Sequence, residues 1–446
     1  MKTSTATLLR IVESAPAPAP VKVCMHVRGV ARTDVRVMRE AMALKEAGFD
    51  VSIIDIEKES TRPAEEDLQG IHLKHILRPG WLVPARSRLW RSVRTMQKLV
   101  SSTFRLLRTP ADIYHAHDLN ALLPCYIVAG LRRKLLVFDS HELPFHELSP
   151  EKLKNSYVRQ VFTGLTHIFA AIVRRCAGVI TVSPPIIDEM HDRYHIAEVS
   201  LVRNILPYQV VPRSDRLRQH LGLSADTRIV LYSGNLQADR TLDNLVRVAR
   251  FVERDVLIVL MGRNVGSMQA ELEALAVREG LTERVKILPP VPYEELLDWI
   301  VSADIGVIAY APDGALNAQP QLPNKFFEYV MCGLPVIASQ LPAIVEMIET
   351  YNVGRILTSL EPAAMGAEIN AMLADRAELE RMRRHALEAA RRDLNWEKES
   401  RVLLHLYETV LLKRKPGRHL HSALVRSTDE ATYAQEGEPV AHPLHS

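Results

Sequence analysis

The stretch Leu322–Ser339, LPNKFFEYVMCGLPVIAS, puts one cation and one carboxylate into the first turns of an otherwise apolar helix. Pro323 and Asn324 are helix-opening residues, Asn324 is placed to cap, and Gly333 is placed to stop the helix. Lys325 and the N–H groups of the opening turn are then available to an anion. Glu328, a turn further in, either accepts two ribose hydroxyls or complements the helix dipole. A second stretch, LYSGNLQADRTLDNL, reads as a strand, a turn at Gly234-Asn235, and a helix opening near Thr241 or Asp243. Gly234 lets backbone approach a ligand closely. Arg240, just before that helix, either grips two phosphates with its guanidinium or is a solvated surface side chain. VLIVLMGRN repeats the arrangement with Gly262 and Arg263, and neither a G-x-G-x-x-G loop nor a Walker phosphate loop is present.

The first half carries a different set. In DIYHAHD, His115 and His117 alternate along a strand and share a face, followed by Asp118. They read as a metal pair without an evident third ligand, or as satisfied core histidines. VFDSHELPFHE ends another strand with Asp139, His141 and Glu142. Cys24, Cys125, Cys176 and Cys332 are far apart, in apolar surroundings and without a C-x-x-C, which predicts buried reduced thiols in a cytosolic protein.

These residues need strand ends to hold them. Apolar runs (VKVCMHV, DVSIID, DIYHAH, KLLVFDSH, GVITVS) alternate with helical patterns such as DVRVMREAMALKEAG, which stops at Gly48. Runs apolar on both faces suit a parallel sheet covered on both sides. After a proline-rich and charged break a second series follows: RIVLYSG, VLIVLMG, VKILPP, IGVIAYA, LPVIAS and GRIL. The chain of 446 residues has room for both. The reading is an α/β protein of two doubly wound Rossmann-like domains facing a central cleft, with ligands at the carboxyl ends of the strands. The expected divisions are a flexible leader over 1–20, a first domain over 21–206, a linker over 207–226 and a second domain over 227–393. A helix over 394–415 packs back toward the first domain, and 416–446 is a disordered tail. No secretory signal and no bilayer-spanning run is read.

A net charge of +3 does not by itself argue for nucleic acid. Its distribution is more telling. Between Asp67 and Asp112 there is no acid, while nine Lys and Arg from Lys74 to Arg108 alternate with Trp81, Trp90, Phe104 and aliphatic residues. Residues 74–108 read as a basic amphipathic helical region suited to an anionic membrane surface, or as a solvated face. No nucleic-acid module accompanies it.

LPNKFFEYVMCGLPVIAS, with LYSGNLQADRTLDNLV and VKILPPVPYEELLDWIVSADIGVIAY upstream, resembles the C-terminal domain of the group 1 (family four) retaining glycosyltransferases of the GT-B fold. The likeness runs from about Val21 to Leu412, with the motifs in the family's order. It implies a nucleotide-diphosphate-sugar donor, with Glu328 on the ribose and Arg240 on the diphosphate. Gly234, Asn235, Gly262, Arg263, Asn324 and Lys325 complete the donor side. His117, the second His of H-x-H-[DE], is implied at the transferred sugar, and Asp118, His141 and Glu142 on the acceptor side. VFDSHELPFHE resembles a branch that makes cell-surface polysaccharides, so the acceptor is expected to be a glycan or lipid-linked. The expected reaction is front-face retention, with Arg240 and Lys325 stabilising the leaving diphosphate and neither metal nor cofactor required. The expected location is cytoplasmic, peripheral on the inner face of the plasma membrane. Arg36 and Arg39 stand where many relatives have a glycine-rich loop, and are expected to share in anchoring. Two departures are plain: Pro320 replaces the first glutamate of E-x7-E, and Asn235 replaces the usual arginine after the first glycine. They leave open a nucleotide-sugar 2-epimerase on the same fold and a non-catalytic nucleotide-sugar-binding partner.

Overall fold

The computed structural model describes residues 19–57, 62–77, 88–143, 145, 156–311 and 322–414. The leader over 1–18, the tail from 415, Trp81, Arg78, Arg86 and Pro320 lie outside the described residues. The first sheet contains β1 (Lys22–His26), β2 (Asp50–Asp55), β3 (Glu65–Leu68), β4 (Ile71–His75), β5 (Ile113–His117), β6 (Leu135–Ser140), β7 (Gly178–Thr181) and β8 (Ser200–Leu201). Its order is β3-β4-β2-β1-β5-β6-β7-β8. All pairs are parallel except β3 with β4. That antiparallel hairpin departs from the all-parallel expectation, because EEDL is acidic but for Leu68, IHLKH is half polar, and an Asp67–Gly70 turn joins them, as at a sheet edge.

Helices α1 (Val35–Glu46), α2 (Arg88–Leu107), α3 (Leu119–Arg132), α4 (Ser156–Val173) and α5 (Pro184–Tyr194) cover this sheet. Lys74 belongs to β4, so the basic region 74–108 is not one helix; its helical part is α2.

The second unit holds α6 (Arg216–Leu221), β9 (Arg228–Ser233), α7 (Leu242–Val248), β10 (Val256–Met261), α8 (Met268–Arg278), β11 (Val285–Leu288), α9 (Leu296–Ile300) and β12 (Ile305–Ile308). It continues with α10 (Asn324–Met331), β13 (Val336–Ala338), α11 (Pro342–Tyr351), β14 (Gly354–Ile356), α12 (Pro362–Ala374) and α13 (Arg376–Arg392). The sheet is parallel throughout, in the order β11-β10-β9-β12-β13-β14. Part of the span read as linker joins this core: Leu217 of α6 is fully buried in it, and Arg218 pairs with Asp304 at 2.6 Å.

The last helix, α14 (Trp396–Arg414), leaves the second unit and packs on α1, burying Leu403, Tyr407 and Val410 in the first core. Two crossings therefore connect the units. Trp396 N donates to Leu206 O, and Arg203 holds Glu399 through two side-chain bonds of 2.6 and 2.8 Å, so the crossings are stapled together. In each sheet the strand order reverses at its centre, at β1/β5 and at β9/β12, which is where an open α/β sheet leaves a crevice.

Candidate functional site

The two crevices share one cavity of about 430 Å³. Its walls from the first unit are Asp34, Arg36, His141, Val182 and Asn204. From the second come Tyr232 to Asn235, Arg240, Tyr310 and Leu322 to Lys325, with Glu328.

Helix α10 is held rigidly on the second sheet. Tyr329 is buried; its hydroxyl accepts Ser233 N at 2.9 Å and donates to Leu231 O at 3.2 Å. A side chain at Gly306 would run into the Tyr329 ring, its Cβ 2.5 Å from that ring, so Gly306 makes the seat. With this face locked, Lys325 and Glu328 are carried into the cavity, 7 % and 9 % exposed. The helix begins one residue earlier than expected: Pro323 is the N-cap and Asn324 the first helical residue. Proline offers no side-chain acceptor, so no side chain satisfies the N–H groups of the opening turn from the cap position. Similarly, Thr241 takes the cap position of α7 without a side-chain cap bond, and Arg240 ends a single 3-10 turn, Ala238–Arg240.

The cations are set by aromatic rings. Lys325 Nζ stands 3.5 Å over the Tyr232 ring centroid and 5.2 Å from that of Tyr310; Arg240 Cζ lies 4.2 Å over Tyr310. Ring faces attract cations most where water is excluded. The Tyr232 hydroxyl also donates to Asn235 O at 2.8 Å, pinning the Gly234–Asn235 turn. Gly234 has φ of 135°, and a Cβ there would lie 3.0 Å from Lys325 Nζ. Gly262 and Arg263 lie outside the cavity lining. Gly262 is required by backbone packing, since a Cβ on it would meet Gly234 O at 1.7 Å, and Arg263 is exposed.

Burial pushes the Glu328 carboxyl up to about 7, against the pull of Lys325 and Arg39. Arg39 does not reach into the cavity as an anchor. It donates to Ile205 O and to Tyr293 Oη, each at 2.7 Å, tying α1 to the second unit beside Glu328.

On the first unit a buried ion network backs the cavity wall. The Arg36 guanidinium grips Asp139 with two bonds of 2.8 Å and gives its remaining nitrogen to Val202 O at 2.7 Å. It also lies 3.0 Å from Glu40. Arg36 therefore reaches the wall with its donors engaged, and positions Asp139 rather than anchoring a ligand. Burial would raise Asp139, but Arg36 and then His141 hold it well below the usual carboxylate range. Burial, reinforced by Asp139, pushes Glu40 up to about 8. His141 Nε2 donates to Asp139 Oδ2 at 2.7 Å, and its backbone N–H donates to Asp118 Oδ1 at 2.9 Å. Burial alone would depress the His141 imidazole; Asp139, with Asp118 behind it, reverses this and raises it to about 9. The wall thus presents an imidazolium at neutral pH.

His117 occupies a different place from the one expected. It is 1 % exposed and absent from the cavity lining. Its Nδ1 donates to Asp139 Oδ2 at 3.2 Å, and its ring stacks on His115 at 4.3 Å. Burial lowers its pKa. Alternation on β5 turns both rings into the layer beneath the sheet, whereas His141 follows the last residue of β6, where the chain turns into the cleft. Glu142 is exposed and outside the lining, and Asp118 acts on the cavity through His141.

Glu40, His115, His117 and Asp139 bring four side chains of metal-ligating type within 4.8 Å of one another. The third ligand missing from the local sequence is thus supplied by α1. Arg36 already provides the positive charge these carboxylates call for, which makes the group an ion network in which a dication would face a guanidinium.

His117→Ala is expected to lower the melting temperature by the loss of a buried, charge-assisted hydrogen bond, about 1.5–3 kcal/mol, with nucleoside-diphosphate affinity within about twofold of the parent. Calorimetry and titration check this; an unchanged melting temperature with collapsed affinity would put the ring at the ligand after all.

Two parallel-sheet domains meeting over a cationic cavity define the GT-B class. The family described as "Glycosyltransferase Family 4" matches residues 33–206, and the family described as "Glycosyl transferases group 1" matches 227–375. The chain belongs to the group 1 glycosyltransferases. It is 30 % identical over 206 residues to a D-inositol 3-phosphate glycosyltransferase of Xylanimonas cellulosilytica, covering 45 % of this chain and 47 % of the relative. A namesake from Catenulispora acidiphila is 27 % identical over 209 residues, covering 44 % and 48 %. The chain spans about half the length of the curated relatives it matches. Among solved structures, sucrose-phosphate synthase from Thermosynechococcus elongatus superposes with a TM-score of 0.71 at 17 % identity, over 88 % of this chain and 100 % of that one. Anabaena HepE in complex with UDP gives 0.63 at 17 %, over 87 % and 100 %. These two likenesses establish the fold.

Proposed function

We propose that the chain transfers a sugar, with retention, from a nucleotide-diphosphate-sugar to a glycan or lipid-linked acceptor in cell-surface polysaccharide or glycolipid synthesis. One observation carries this reading: a single cavity receives two cations and a buried carboxylate from one sheet and an imidazolium from the other. Arg240 and Lys325 suit the diphosphate, and Glu328 suits the ribose hydroxyls. His141 faces them across the cleft, where the transferred sugar would lie. The names of the relatives, and the UDP and UDP-glucose bound to HepE, support a nucleotide-sugar donor.

In this reading the bond from the sugar's anomeric carbon to the β-phosphate oxygen breaks as the acceptor oxygen bonds that carbon on the same face. The acceptor's proton passes to the departing phosphate oxygen. The chain's part is electrostatic: fixed cations aimed at the oxygen that gains charge lower the barrier without reorganising. Side chains already neutralise the diphosphate, so the reading includes no metal. It also places the protein in the cytoplasm, peripheral on a membrane; none of the helices among the described residues is long and apolar enough to cross one.

Glu328→Gln is expected to weaken nucleoside-diphosphate binding by about 1.5–3 kcal/mol, the range for hydrogen bonds to a charged group. Parent affinity should rise as pH rises through about 7, where Glu328 ionises, and the variant should lose that dependence. Titration calorimetry at several pH values decides it, and equal affinity in a folded Glu328→Gln protein removes the ribose assignment. Product analysis with donor alone separates transfer from 2-epimerisation.

A further inference from the structure

Helices α2, α3 and α4 form one layer, which α5 in the crossover β7 to β8 continues beyond α4. The first three lie in the crossovers β4 to β5, β5 to β6 and β6 to β7, which step in one direction across the sheet, and right-handed crossovers put such helices on one face. Their inner residues share a core, including Leu106 of α2, Val128 of α3 and Phe169 of α4. The opposite face is covered by α1 and α14.

The outer surface of this layer is unlike that of a solvated helix layer, which turns charged and polar residues to water. None of the three helices contains an Asp or a Glu. On α2, Val93, Met96, Val100, Phe104 and Leu107 recur at helical spacing along one exposed stripe. On α4, Val161, Leu165 and Ile168 do the same. With Leu123 and Leu131 of α3 these side chains are 36–70 % exposed, and they are half of all the exposed large apolar side chains among the described residues. The charges on and just after these helices are positive: Arg108, Arg133 and Arg159 are exposed, and Arg108 lies over the Phe104 ring at 3.9 Å. Acids stand at the margins of the layer, where Glu65 of β3 pairs with Arg105 at 2.8 Å and α5 exposes Asp188 and Asp192.

We propose that the outer face of the α2–α3–α4 layer docks on an anionic bilayer. Apolar stripes on helices that carry cations and no acid of their own match an interface of acyl chains beneath anionic headgroups, with arginine stems lying along the apolar surface. A second copy of the chain would bring like charge against like charge, and a nucleic acid would leave the apolar stripes without a partner. The helix α3 starts directly after His117 and Asp118, so the layer runs back from the edge of the cleft. A docked protein would hold its cavity beside a lipid-borne acceptor. That last consequence rests on the glycosyl-transfer reading; the docking does not.

The test is co-sedimentation of the full chain with vesicles of phosphatidylcholine containing phosphatidylglycerol, with UDP binding measured in parallel. The protein is expected to bind at low salt, to release as salt rises, and to ignore pure phosphatidylcholine, each cation adding about fivefold to partitioning. Met96→Gln with Val100→Gln on α2, and separately Leu165→Gln with Ile168→Gln on α4, should each lower partitioning at least tenfold with UDP affinity retained. Arg108→Gln with Arg133→Gln and Arg159→Gln, which disturbs no buried residue, should flatten the salt dependence. Parent protein that ignores anionic vesicles at low salt overturns the proposal. So does full vesicle binding by the α4 variant, or self-association of the parent that the α2 and α4 variants abolish in place of vesicle binding. Docking without any nucleotide binding would instead overturn the functional reading and leave the surface standing.

Discussion

Turnover is expected to fall about 10²- to 10³-fold in Lys325→Ala, and by a similar factor in Arg240→Ala, the range seen when a fixed group that stabilises transition-state charge is removed. Both cations are set on tyrosine rings that exclude water, and Lys325 is nearly buried. A positive charge in such a place acts on a nearby oxyanion far more strongly than it would in water. The loss should appear in kcat with the donor, because charge on the diphosphate grows as the glycosidic bond breaks. Lys325 and Arg240 flank the same Tyr310 ring and would act on one anion, so the double variant should lose less than the product of the two single effects. Lys325→Met, which keeps the apolar stem over Tyr232, should match Lys325→Ala in turnover and exceed it in melting temperature. Turnover within threefold of the parent in folded Lys325→Met would remove the charge from the mechanism.

The second large effect is in pH. On the proposed reading Glu328, raised to about 7, accepts ribose hydroxyls as a carboxylate, so activity should rise through about 7. On the same reading His141, raised to about 9, faces the transferred sugar as imidazolium, so activity should fall through about 9. The profile is a bell between them. The groups facing Glu328 are Lys325 and Arg39, and those facing His141 are Asp139, Asp118, Arg36 and His117. Glu328→Gln should remove the acid limb and His141→Gln the alkaline limb. Stability follows the same sign for His141. Its folded value lies above its ordinary 6.5, so the stabilisation is complete below 6.5 and is lost as pH rises through about 9. A flat profile from 6 to 10 would contradict both assignments.

The strands and the two-domain plan are legible in the chain because each buried parallel strand is a short apolar run that local composition reveals. The β3–β4 hairpin escapes that reading: its strand residues are mostly polar, and its pairing with β2 depends on a contact outside the segment. The placing of Arg240, Lys325 and Glu328 at the cleft was readable where helix grammar governs it, while Asn324 and Pro323 exchange roles within one position. The aromatic seats at Tyr232 and Tyr310 were missed, although both tyrosines stand near the carboxyl ends of apolar strand runs, one residue before the end of β9 and two beyond that of β12. The exchange of His117 for His141 is different in kind. Whether a histidine at a strand terminus faces the cleft or the inner layer depends on where the sheet stops, and one residue of register decides it. Glu40 and Arg36 could not be joined to Asp139 from sequence, since about a hundred residues separate partners that the fold sets 2.8 Å apart.

The return of α14 to the first domain has a consequence for biosynthesis. His115 in the central strand β5 bonds the Tyr407 hydroxyl across 292 residues of chain. At roughly 5–20 residues per second of synthesis, that partner follows about 15–60 s later. Through that interval the nascent first domain has a sheet but lacks the helix that buries its α1 face, and its apolar surface is open to chaperones or to wrong partners. The second domain can complete its own core while the first waits. Maturation of the first domain is therefore paced by α14, and a ribosome stalled before Leu403 would hold a finished second domain beside an unfinished first one.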